Sequence, residues 1–277
     1  MSLVRLAVWG DPISHSKSPI LHAAAYRALG LDWVYERRQV NAESFKAEMA
    51  GLDTNWRGLS LTMPLKEEAF RAATIRDRHS ELTGAVNTLV FGDVVHGFNT
   101  DVGGIVDALR DNGIQALTAV RILGAGATAA SALVAAWQLG ARQIDIRARR
   151  PEGAVEIQTL GERLGVEVSV SAYQSALSPV DVTIATLPSG TTLDAEIAAS
   201  LASSGGALFD AAYAPWPSAL ASVWHDGQVI SGIAMLFNQA VRQVRAFVHA
   251  DPERELEDEA RVRDEMHAAL SGDIRAE

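Results

Sequence analysis

The chain has 277 residues, 48% of them apolar and 21% charged, the composition of a globular protein long enough for two domains. A formal net charge of -10 argues against nucleic acid as a partner, because a phosphate-backbone binder needs a basic face to displace counterions. The absence of Cys excludes disulfides, thiolate catalysis, iron–sulfur clusters and Cys-ligated zinc.

From the start, apolar runs bounded by Gly, Pro and Asp alternate with helical patterns, the signature of βα units on a parallel sheet. The opening run carries one early Arg and meets Asp11-Pro12 too soon for a signal peptide, so a cytoplasmic location is expected. Strands are predicted over 3–9, 33–40, 57–61 and 85–91, with helices over 19–29, 43–49 and 67–73 between them. A short strand at 94–98 follows Gly92-Asp93 as a hairpin. Asn99-Thr100-Asp101 then leads into a helix ending near Asn112-Gly113.

A second series has strands at 119–123, 144–147, 166–170, 180–185, 207–210 and 228–230, with a helix running to Leu139 after the first. Residues 122–141 carry no charge over twenty positions, the length of a membrane span. Their Gly, Ala and polar residues favour a strand end, a glycine turn and a buried helix instead. The apolar helix predicted over 233–248 is not needed by the second sheet and could return to the first domain. The tail over 251–265, with eight acids and three Arg, reads as a solvated helix without assigned function.

Several loops at predicted strand ends carry chemistry. Gly124-Ala125-Gly126-Ala127-Thr128-Ala129 fits G-x-G-x-x-A between a strand and a helix. The first Gly permits the turn, the second lets a pyrophosphate approach the backbone, and Ala129 allows close helix packing. The helix N-terminus adds amides for the phosphates. At the next strand end, Arg149 and Arg150 fall where a 2′-phosphate would be met, which favours NADP over NAD. Asp145 lies earlier, in mid-strand.

Ser14-His15-Ser16-Lys17-Ser18-Pro19 puts several hydroxyls on a strand-to-helix loop. A single Ser, Ser18 before Pro19, suffices to cap the helix. The others are candidates for ligand contact. Ser60-Leu61-Thr62-Met63-Pro64-Leu65-Lys66 runs from strand to helix. Only three of 24 basic residues are Lys, and two of them, Lys17 and Lys66, fall in these loops. Lys, unlike Arg, can exchange a proton near neutral pH. Asn87 and Asp101 add an amide and a carboxylate at strand ends, and the seven His show no metal-ligand spacing.

Together GDPISHSKSP (10–19), LTMPLKEEAF (61–70), GAVNTL (84–89), NTD (99–101), GAGATA (124–129) and GIAMLFNQ (232–239) resemble the shikimate dehydrogenase family, in order through most of the chain. The resemblance implies a two-domain α/β protein. Residues 1–101, completed by 233–277, would form a substrate domain with a mostly parallel sheet. Residues 102–232 would form a Rossmann-type NADP-binding domain, and the C-terminal helix would return to the first domain. It implies reversible NADP-dependent reduction of 3-dehydroshikimate to shikimate in chorismate biosynthesis by a monomer or homodimer. Lys66 and Asp101 match its catalytic pair. Ser16 and Ser18 would hold the substrate carboxylate, Ser60, Thr62, Asn87 and Gln239 would reach the ring hydroxyls, and Tyr213 would line the pocket. Gly232 and Met235 correspond to the stretch beside the nicotinamide. Three positions depart from the family pattern: Ser60 where Asn is common, Ala127 for a frequent Gly, and Ala148-Arg149-Arg150 for Asn-Arg-Thr. An NAD-dependent quinate/shikimate dehydrogenase and a non-catalytic NADP-binding regulator are the alternative readings.

Overall fold

A computed structural model describes residues 3–276, with side chains through 274, in two compact units: Met1–Thr100 with Phe237–Glu277, and Asp101–Leu236. In the first unit the order is β1 (Val4–Gly10), α1 (Ser18–Ala28), β2 (Trp33–Gln39), α2 (Phe45–Ala50), β3 (Trp56–Leu61), α3 (Lys66–Ala72), β4 (Ile75–Arg76), α4 (Arg78–Thr83), β5 (Thr88–Val90) and β6 (His96–Phe98). The six strands form one sheet in the order β2-β1-β3-β5-β6-β4. β1 pairs in parallel with β2 and β3, β5 is antiparallel to β3 and β6, and β4 is parallel to β6. Having neighbours on both sides, β1 is apolar almost throughout, and Leu6, Ala7 and Trp9 are fully buried. Trp9 meets the rings of Phe45 and Trp56 edge-on, which fixes the core beneath the β1 loop.

Two elements depart from the sequence expectation. β4 is two residues long, too short to show a period, and α4 follows it directly. Asp77 caps α4 by accepting the Ser80 amide at 2.8 Å, and Gly84 closes it in the left-handed conformation at φ 66°. The strand expected over 85–91 is correspondingly shorter, because 85–87 are engaged by α3 and β6: the Val86 amide donates to the Lys66 carbonyl and the Asn87 amide to that of Phe98.

The second unit begins with α5 (Thr100–Asp111), most of which lies within it. It continues through β7 (Ala119–Leu123), α6 (Ala127–Gln138), β8 (Gln143–Arg147), α7 (Val155–Leu164), β9 (Glu167–Ser171), β10 (Val182–Ala185), α8 (Ala195–Ser203), β11 (Ala207–Asp210) and β12 (Val229–Ser231). Its sheet is wholly parallel, in the order β12-β11-β10-β7-β8-β9. This is the doubly wound order whose switch point, between β7 and β10, opens a crevice at the strands' carboxyl ends. The charge-free stretch is the end of β7, the glycine turn and α6, whose Ala129 to Ala136 are buried in protein. Among the described residues no helix is long and apolar enough to cross a membrane.

The chain then runs through α9 (Gly232–His249), which enters the first unit at Phe237, and α10 (Glu259–Ala276). The acidic tail is more than a solvated helix. Val262, Met266 and Leu270, spaced by four, are buried, and α10 packs along α1. Arg245 on α9 grips both oxygens of Glu259, and the Leu256 amide also donates to this carboxylate, so the acidic sequence has a docked face.

Candidate active site

In the first unit the loops after β1 and β3 and before β5 are stitched backbone to backbone. Thr62 donates its amide to the Trp9 carbonyl at 2.9 Å, Asp11 to Met63 at 2.9 Å, Leu61 to Asn87 at 2.8 Å and Val86 to Lys66 at 3.0 Å. Gly10 allows the approach: a Cβ there would stand 2.4 Å from Thr62 Cγ2 and 3.0 Å from the Met63 carbonyl.

On this frame Ser16, Thr62 and Lys66 are half-buried, while Ser18, Ser60 and Asn87 are buried. The helix expected to start after Ser18 begins at Ser18 itself, and Ser16 Oγ accepts the Ser18 amide at 3.3 Å. Lys17 turns to the C-terminal helix, where its ammonium meets Asp273 at 2.8 Å, so its place between two candidate ligands serves to anchor the loop. Lys66 is the first residue of α3. The Asn87 carboxamide oxygen accepts from the Thr88 hydroxyl and the Thr100 amide, both at 2.9 Å, and its nitrogen donates to Thr100 Oγ1 at 2.9 Å. Asn99, just before Thr100, donates its side-chain nitrogen to Thr83 Oγ1 and its backbone amide to the Asp77 carboxylate, which gives the unforeseen α4 a role in holding this turn. Gln239, on α9, is buried in the same unit.

A buried polar cluster missed by sequence reasoning lies behind these loops. Tyr35 donates to Ser60 Oγ at 2.6 Å, and Ser60 donates to Gln243 Oε1 at 2.8 Å. Gln243 Nε2 reaches the Asn87 carbonyl and Thr88 Oγ1 at 3.2 and 3.1 Å. His22 completes it, with one ring nitrogen 3.2 Å from Gln243 Oε1 and the other 3.1 Å from the Tyr26 hydroxyl. Burial drives the His22 pKa down to about 3 against the opposing Gln243 hydrogen bond, and it pushes both tyrosines up.

The second unit presents a different surface. Gly124 adopts φ 115°, and a Cβ there would fall 2.5 Å from Thr186 Oγ1, whose hydroxyl donates to the Leu123 carbonyl across the switch point. Gly126, the exposed residue before α6, faces open space, leaving its backbone approachable by a ligand. Ala125, Ala127 and Thr128 are half-buried, and Ala129 is packed into the core. On β8, Asp145 is held between Arg121 at 2.9 Å and Arg147 at 2.7 Å. Arg147 also donates to the carbonyls of Ala172, Ser175 and Ala176. These groups satisfy one another inside the unit, whereas Arg149 and Arg150 are exposed at the strand end.

Asp101 is buried in the first turn of α5. Tyr213 follows a turn in which Asp210 accepts the Ala212 amide and the Ser218 hydroxyl; burial nevertheless raises the Asp210 pKa. A Cβ on Gly232 would sit 2.1 Å from the Ala211 carbonyl, so glycine permits the turn into α9, on which Met235 is buried. Among the described residues no group of three or more His, Asp or Glu could hold a metal ion.

A family model of the shikimate dehydrogenase substrate binding domain matches residues 8–89. The shikimate dehydrogenase (NADP(+)) of Methanothermobacter thermautotrophicus is 34% identical over 267 residues, covering 91% of this chain and 94% of that protein. The chain belongs to the shikimate dehydrogenase family. The family member of the same name from Methanosarcina mazei is 35% identical over 267 residues, covering 90% of this chain and 94% of its own. The crystal structure of Mycobacterium tuberculosis shikimate dehydrogenase superposes with a TM-score of 0.83 at 36% identity, over 97% of this chain and 99% of that one. That of Thermus thermophilus shikimate 5-dehydrogenase, in complex with NADP(H) and shikimate, gives 0.77 at 26% identity over 97% and 100%.

Proposed function

We propose that the chain catalyses the reversible, NADP-dependent reduction of 3-dehydroshikimate to shikimate on the route to chorismate. The observation that carries this reading is the stitched set of loops bearing Ser16, Ser18, Thr62, Lys66 and Asn87, in the unit that contains the family's substrate-domain match. The same chain carries an open glycine turn at the switch point of a parallel sheet.

The second unit fits a dinucleotide phosphate. Gly124, Ala125, Gly126, Ala127, Thr128 and Ala129 would hold the pyrophosphate through backbone amides at the start of α6, with Gly126 leaving room for its approach. Arg149 and Arg150, exposed and clear of the Arg121–Asp145–Arg147 cluster, would take the 2′-phosphate. Gly232 and Met235 would flank the nicotinamide. When bound, NADPH supplies the hydride.

Ser16 and Ser18 hold the carboxylate of the substrate and Thr62, Asn87 and Gln239 its hydroxyls, and Tyr213 is the residue of the second unit that the family resemblance assigns to the substrate. Lys66 delivers a proton to the ketone oxygen as negative charge develops there and removes it in the reverse direction, a task Arg could not perform. The Asp101 carboxylate holds a substrate hydroxyl adjacent to the reacting carbon. The enzyme would act on small molecules in the cytoplasm, as a monomer or homodimer.

Initial rates with shikimate and quinate, each crossed with NADP+ and NAD+, test the assignment. The highest kcat/KM is expected for shikimate with NADP+. A higher value for quinate with NAD+, or no turnover with any pair, would overturn it.

A further inference from the structure

Lys17 and the acidic C-terminal helix take no part in the chemistry proposed above, yet the fold joins them. α10 holds α1 at both ends. The Asp273 carboxylate meets the Lys17 ammonium at 2.8 Å where α1 begins, and the Arg261 guanidinium donates to the Ala28 carbonyl at 2.6 Å where it ends. The two helices therefore run antiparallel, and the stretches 17–28 and 261–273 are matched in length at about 17 and about 18 Å. Val262, Met266 and Leu270 lie buried between the two ties.

The tie at Lys17 is tighter than the local bonds around it. Lys17 is the N-cap residue of α1, and its side chain makes no capping hydrogen bond. The Ile20 and Leu21 amides reach the Lys17 carbonyl at 3.2 and 3.4 Å, the Ser18 amide reaches Ser16 Oγ at 3.3 Å, and the Ser16 amide reaches the Ile13 carbonyl at 3.0 Å. Arg37 takes the Ser14 carbonyl, further back and on the exposed side. A charge-assisted bond at 2.8 Å outweighs each local one. Lys17 is also buried, with 5% of its surface exposed. Removing the Asp273 carboxylate leaves that buried charge undercompensated, so the side chain gains by turning to water and draws with it the backbone between Ser16 and Ser18.

We propose that Asp273 is a positioning residue for the substrate: by keeping the Lys17 ammonium inside the first unit, it holds Ser16 and Ser18 where the substrate carboxylate binds. The proposal deepens the functional reading above and rests on its assignment of these two serines. Asp273→Asn is expected to raise KM for shikimate about 5- to 10-fold, with kcat and KM for NADP+ within about twofold of wild type. Adding Lys17→Met removes the charge that seeks water and should bring KM back to within about threefold of wild type. Glu259→Gln frees Arg245 from the opposite end of the same helix, and it should lower the melting temperature while KM stays within about twofold. Unchanged KM in Asp273→Asn, no recovery in the double variant, or an equal rise in Glu259→Gln would overturn the proposal.

Hydrogen exchange in the free protein gives a readout that does not depend on turnover. The backbone amides of Ser16, Ser18, Ile20 and Leu21, followed by NMR, should exchange at least about 5-fold faster in Asp273→Asn than in wild type, and at the wild-type rate in Glu259→Gln. Equal rates in Asp273→Asn and wild type would overturn the positioning role. Wild-type protein inactive on shikimate would instead overturn the functional reading, with the exchange rates still deciding whether Asp273 holds the loop.

Discussion

The two units prepare for ligands by opposite means. In the first, the candidate ligands are side chains on loops tied together by backbone hydrogen bonds, and behind them lies a neutral buried network running from His22 to Thr100. In the second, the candidate contacts are the backbone of a glycine turn and two exposed guanidinium groups, while the charged groups of β7 and β8 are occupied with one another. A ring with several hydroxyls needs donors and acceptors of fixed sense, which only an ordered interior supplies. A phosphate accepts from any donor, so amides and exposed Arg side chains serve it. Changes in the first unit should therefore act at a distance, and changes in the second should act locally.

The largest effect expected from this contrast is at Lys66. Lys66→Ala should lower kcat about 10²- to 10⁴-fold with KM for shikimate little changed, as for an interaction made mainly in the transition state. Steady-state rates in both directions check it, and wild-type-like turnover would remove Lys66 from the chemistry. On the cofactor side, replacing Arg149 and Arg150 together with Ala should weaken NADP+ binding about 10- to 100-fold while leaving NAD+ within about twofold. Titration at two salt concentrations sharpens this: NADP+ affinity should fall with salt more steeply in wild type than in the double variant.

The neutral network makes its own prediction. His22 is buried against Tyr26, Tyr35, Phe247 and Gln243, all uncharged, and its pKa lies near 3 in the folded protein against 6.5 when exposed. Between those values the unfolded chain binds the extra proton, so this contribution is complete above pH 6.5 and is lost as pH falls toward 3. From pH 6.5 to pH 4.5 the loss from this group is about 2 kcal/mol, and denaturant titration of His22→Gln should show a pH dependence flatter by that amount. A smaller effect belongs to α10. Burial pushes Glu259 up, but Arg245 and the Leu256 amide more than offset this and its pKa is lowered. Glu259→Gln should cost about 2 kcal/mol near neutral pH, and the difference should shrink as pH falls through the lowered carboxylate pKa.

The alternation of strands and helices was legible because buried parallel strands must be apolar and their connections must turn. β7 and β11 begin and end where the pattern puts them. α4 was not, since two residues of strand and one and a half turns of helix show no period; only Asp77 and Gly84, a cap and a stop, betray it. The tail misled because charge outnumbers the four apolar residues that seat it, Leu256, Val262, Met266 and Leu270. On the candidate site, hydroxyls and Lys at strand ends are visible as types out of place. Tyr35, His22 and Gln243 are not, because each reads as an ordinary member of its strand or helix until the fold brings positions 22, 35, 60, 87 and 243 into one hydrogen-bonded set.

Transfer of a label from cofactor to product would test the account at its centre. A single turnover of 3-dehydroshikimate with NADPH deuterated at C4 should yield shikimate carrying deuterium on the carbon that bore the ketone, with one cofactor oxidised per product. Tight NADPH binding with no labelled product from either face of the cofactor would contradict it.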